Sequence, residues 1–132
     1  MTTRAFITIL VLTASNSPIL AQTLQNFVFL NAELSVQMAL TAVQDCQEKG
    51  YNVSAAVMNR EGRLTAFARN LMASPMTSEI SQGKAYAAAL TQASTANLGE
   101  IGAVAYADGV VPTQGGLPFS AGGRFHGGIR VS

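Results

Sequence analysis

The residue pattern predicts an α+β domain, and three observations carry that prediction. A helix-like stretch opens at Asn31, two short β-prone runs flank the turn residues Asn59 to Gly62, and a glycine-punctuated tail follows an alanine-rich segment. Period-3.6 and period-2 stretches therefore alternate along one chain of 132 residues, enough for a single core.

Asn31 is a good helix N-cap, because its short side-chain oxygen reaches the first free backbone N–H groups. Behind it Leu34, Met38, Val43 and Cys46 fall on one side of the expected helix. Gly50 follows Lys49 and stops it, as a C′ glycine accepts the left-handed turn. Residues 52–58 and 63–69 then read as a hairpin around Asn59-Arg60-Glu61-Gly62. In its second arm Leu64, Ala66 and Ala68 share one face, and Thr65, Phe67 and Arg69 share the other. Both faces hold apolar residues, so the hairpin is expected inside a larger sheet rather than at its edge.

Met72 and Met76 flank a loop, and a second helix is expected from about Thr77 to Leu98. Its alanines (85, 87, 88, 89, 93 and 96) favour helix and let it lie close to a sheet. Three further strands are expected near Val110–Pro112, Leu117–Ser120 and Arg124–Val131, joined by glycine turns.

The N-terminus has the layout of a secretory signal peptide. Arg4 is followed by the apolar run Ala5 to Ala14 and by small and polar residues to Ala21. Ten such residues make about 15 Å of helix, half the bilayer core, so no stable membrane span is expected. Residues 1–21 are the expected leader and 22–132 the domain, with a periplasmic or secreted destination; the alternative is a buried N-terminal helix. Cys46, the only cysteine, then meets an oxidising compartment without an internal partner. It is either buried and inert or a handle for a dimer.

Composition excludes several classes. Charged residues are 11% against 48% hydrophobic, which is the reverse of a disordered chain. A formal net charge of +1 without a Lys/Arg cluster argues against nucleic acid as partner. Weak surface charge offers little repulsion between copies, so a homo-oligomer is expected. One cysteine and one histidine exclude a thiol-bound zinc or a site needing two histidines. Asp108, Ser120 and His126 are formally a triad, but no spacing or G-x-S-x-G elbow supports it.

Three segments together resemble one family. Asn59-x-x-Gly62-x-Leu64, followed by Arg69, is similar to the D-x-x-G-x-L…R signature of the GlcG/HbpS-like haem-binding proteins, also seen in PduO C-terminal domains. Asn59 stands in place of the usual aspartate. Ser81-Gln82-Gly83-Lys84-Ala85-Tyr86-Ala87-Ala88 resembles their A-x-x-K-A-x-T-A helix, and Gly115-Gly116-Leu117-Pro118-Phe119 with Gly127 to Ser132 resembles G-G-x-P-[IV]…G-x-[IV]-G-V-S-G. Arg130 occupies a position where the family has glycine. The resemblance covers about residues 31 to 132.

It implies a mostly antiparallel five-stranded sheet packed with helices, here missing the family's final helix, in a homo-oligomer. It further implies an exported protein that binds haem or a related tetrapyrrole and sequesters or senses it. The alternative is a haem-degrading enzyme or an accessory of glycolate or corrinoid metabolism; no acid–base pair in the sequence favours catalysis. His126 is then the candidate iron ligand, as the only imidazole. Arg69 and Lys84 are candidates for the haem carboxylates, Met72 for a soft axial ligand, and Thr113 for a pocket-lining hydroxyl.

Overall fold

The computed structural model describes residues 28–100 and 102–132; the expected leader lies outside them. Helix α1 (Ala32–Glu48) is followed by strands β1 (Ser54–Asn59) and β2 (Leu64–Arg69). Helix α2 (Met76–Thr91), two 3-10 turns (Thr95–Glu100 and Gly102–Tyr106) and strands β3 (Leu117–Ala121) and β4 (Arg124–Val131) complete the order. All strand pairs are antiparallel, and the sheet runs β2-β1-β4-β3.

Local chemistry explains the starts and stops. Asn31 accepts the Leu34 N–H at 2.8 Å, and α1 ends where Lys49 and Gly50 donate back to the Cys46 and Gln47 carbonyls. Gly50 has φ +84°. In the hairpin turn Asn59 Oδ1 accepts N–H groups of both Glu61 and Arg63, and Gly62 takes φ +74°. The neutral Asn59 thus supplies the acceptor oxygen that an aspartate would offer.

The sheet is covered on both faces. Ala55 and Val57 of β1 pack with Ala39 and Val43 of α1, whereas Ala56 and Met58 pack with Ala85 and Ala89 of α2. Successive strand residues point to opposite faces, so the two helices lie on opposite sides of β1. The α2 contact is very close: a Cβ on Gly128 of β4 would overlap the Ala85 carbonyl oxygen and lie 2.8 Å from the Ala89 nitrogen. The alanine-rich face and one glycine together set that spacing.

Five expectations need correction. The sheet has four strands among the described residues, because residues 110–112 form no strand; they lie along α2 instead, with Val111 over Gly83. β1 is interior, but β2 is an edge. Helix α2 ends at Thr91, seven residues before Leu98, where Gln92 turns left-handed (φ 54°) and Thr95 is drawn into a buried network. The buried stripe of α1 is Ser35, Ala39 and Val43, with Leu34 exposed, because small residues admit the closest approach to the sheet. Leu64 leaves the face of Ala66 because the β1–β2 register slips at a bulge between Val57 and Met58. No helix among the described residues is long and apolar enough to cross a membrane.

Candidate functional site

The loop preceding β3 gathers two partly buried cations, Lys84 and Arg130. Thr95, 2% exposed, donates its hydroxyl to the Thr113 carbonyl at 2.8 Å and accepts the Gly116 N–H at 2.7 Å. One side chain thereby pins both ends of the 113–116 turn. Lys84, on α2 and 8% exposed, donates Nζ to the Gln114 carbonyl at 3.2 Å. From β4, Arg130 lays its guanidinium against Gly115, where any Cβ would overlap Nη1; its Nε donates to Ser132 Oγ at 3.0 Å. The bulky side chain that replaces glycine in the strand is thus accommodated by a second glycine opposite.

Burial lowers the Lys84 ammonium below the usual lysine value, and the like charge of Arg130 lowers it further. Burial also lowers Arg130. Neither cation has a carboxylate within ion-pair distance among the described residues.

The residue before Lys84 serves a different surface. Gly83 lines a groove of about 450 Å³ between α2 and residues 108–111, with Met58, Tyr86 and Val111 among its apolar lining and Glu79 and Asp108 among its polar lining. The Tyr86 ring occupies the space that a side chain on Gly62 would need. A largely apolar groove with a few polar groups is the usual form of a small-molecule site.

The other candidate residues are dispersed. Arg69 is exposed and donates to the Ala73 carbonyl, closing the loop after β2. Met72, in that same loop, is 79% exposed. Thr113 is exposed, and its backbone rather than its hydroxyl engages Thr95. His126 is half-buried on β4, and its Nδ1 is enclosed without a hydrogen-bond partner among the described residues. No Asp108 carboxylate therefore orients the imidazole, which removes the Asp108–Ser120–His126 triad. Lys84 and Thr113 come to one turn; Arg69 and Met72 come to another. Cys46 is half-buried and free. Among the described residues no three metal-ligating side chains of His, Cys, Asp or Glu converge.

Two residues that contact the turn are not candidates from the sequence. Thr95 carried no signal at all, since a threonine in a polar stretch is unremarkable there. Arg130 did carry one, as a departure from the glycine of the family motif.

The crystal structure of a double mutant of Streptomyces reticuli HbpS superposes with TM-score 0.77 at 25% identity, covering 95% of this chain and 86% of that one. Klebsiella pneumoniae protein ORFY (TM-score 0.74, 20% identity, 83% and 82% covered) shares the fold. So does the structure described as a PduOC:heme complex (0.68, 22%, 80% and 83%). No curated protein matches. The family model described as "Haem degrading protein HbpS-like" matches residues 30–132, essentially every element of the sheet and both helices, and the chain belongs to the HbpS-like family.

Proposed function

We propose that this protein binds haem or a closely related tetrapyrrole. The family match over residues 30–132 carries the reading. A tetrapyrrole dicarboxylate presents a large apolar disc and two anions; this chain has an apolar groove, lined also by Glu79 and Asp108, and, outside that lining, the cations Lys84 and Arg130. Lys84 is the residue best suited to a carboxylate, with Arg69 at the surface of the sheet's far edge. For the iron, His126 offers Nε2, because Nδ1 is enclosed by protein. Bound haem would supply redox and ligand-binding chemistry, while the chain orients it and limits its contact with water.

A hemin titration of residues 22–132, followed at the Soret band, tests the reading. The expected result is a saturable shift, with His126→Ala moving the band and weakening binding about tenfold, the low end of losses when a metal centre loses a supporting group. A featureless titration of the folded protein rejects haem binding. The family description favours a second reading, haem degradation. Ascorbate added to the loaded protein separates the two: loss of the Soret band with growth of long-wavelength product absorption marks an enzyme, and a stable reduced spectrum marks a binding protein.

We also propose export and self-association. The N-terminal layout supports export; Leu64, Phe67, Leu71, Met72 and Met76, exposed along the β2 edge, the loop after it and the start of α2, support self-association. Full-length protein produced in a bacterial host is expected in the periplasmic fraction, beginning at Gln22, with a light-scattering mass above that of a monomer. Retention of Met1 in the cytoplasm counts against export, and a monomeric mass counts against assembly.

A further inference from the structure

We propose that Lys84 and Arg130, set around the Gln114–Gly115 peptide, form a subsite for one carboxylate group of a ligand. Lys84 Nζ contacts the carbonyl of that peptide unit, and the Arg130 guanidinium lies on the Cα beside it. Two cations are thus gathered at one turn and partly withdrawn from water, with no carboxylate to neutralise them among the described residues. Such an arrangement is unfavourable unless an anion completes it, since buried charge needs both a counter-charge and hydrogen bonds.

The details suit a carboxylate in particular. Ser132 Oγ engages Nε of Arg130, which orients the guanidinium, while Nη1 and Nη2 have no hydrogen-bond partner among the described residues. Two parallel N–H donors on a planar fork match the two oxygens of a carboxylate, and Lys84 adds a point charge alongside. The absence of a side chain on Gly115 is what lets the guanidinium lie against the turn. Thr95 holds the turn at both ends, so the cradle exists before the ligand arrives. Identification of that carboxylate as a haem propionate rests on the reading proposed above; a free dicarboxylate has the same chemistry.

Hemin, hemin dimethyl ester and succinate distinguish these cases. Wild-type protein is expected to bind hemin about tenfold more tightly than its ester, the usual scale of a charge-assisted pair. Arg130→Gln removes that preference and leaves ester affinity unchanged. Succinate is expected to raise the melting temperature of the wild type above sodium chloride of equal ionic strength, saturably, and not that of Arg130→Gln. Arg130→Lys, which keeps the charge but loses the fork, should lose most of both effects. If Arg130→Gln does not fold, Lys84→Met is measured in its place.

Hemin binding that is indifferent to esterification and to both substitutions, with no succinate effect, overturns the subsite and leaves the haem reading intact. A saturable, Arg130-dependent succinate effect without hemin binding upholds the subsite and removes the haem reading. Absence of both effects overturns both.

Discussion

Gly128→Val is expected to cost about 3 kcal/mol or more of stability, at the upper end of overpacking effects. The reason is that nothing soft lies opposite. A Cβ at Gly128 would meet the Ala85 carbonyl oxygen and the Ala89 nitrogen, which are helix backbone, so relief requires α2 to lift from β4 as a unit. Lifting it would also open the packing of Ala56 and Met58 against Ala85 and Ala89. For a domain of about 100 residues, total stability is roughly 5–15 kcal/mol, so a large share is at stake. Urea unfolding followed by far-ultraviolet circular dichroism checks this; a midpoint within error of the wild type would show that α2 yields more readily than its packing implies.

Thr95→Val is expected to cost about 2 kcal/mol, although the side chains are nearly isosteric, because a buried donor and a part-buried acceptor each lose their partner. The Gly116 N–H and the Thr113 carbonyl both depend on the one hydroxyl. The effect should be partly local: hydrogen exchange at Gly116 should accelerate by more than at the β1–β4 pairs, because the turn loosens before the sheet does. Uniform acceleration across the domain would mean that Thr95 acts on global stability alone. Since the same turn carries Lys84's acceptor and lies against Arg130, the variant should also weaken the succinate response.

The parts of the fold governed by near neighbours were legible. Asn31, Gly50 and the Asn59–Gly62 turn each act through hydrogen bonds to residues within about four positions, and each does what its residue type predicts. The alanine density of residues 85–89 announced both a helix and a close helix–sheet contact, and both are present. The misplacements have a common origin. Leu64 is displaced by a bulge in its pairing with β1, residues 110–112 are captured by α2 instead of by a sheet edge, and α2 stops early where Thr95 finds partners around 20 positions away. Periodicity along a chain has no access to any of these.

The candidate site divides in the same way. Lys84 was identifiable because its motif resembles one that a family shares, yet its companion in the structure is Arg130, while Arg69 turns to the Ala73 carbonyl. Pairing of two cations 46 positions apart depends on the β1–β4 register, which brings Arg130 opposite Ala56, and on the small residues that let α2 press onto β4. By itself, then, the sequence determined the α+β class, the helix starts, the hairpin and the family, because those depend on local hydrogen bonding and on motif order. Tertiary structure decided which faces are buried, where α2 ends and which charges meet, because register, bulges and backbone-to-backbone approach arise only when distant segments pack.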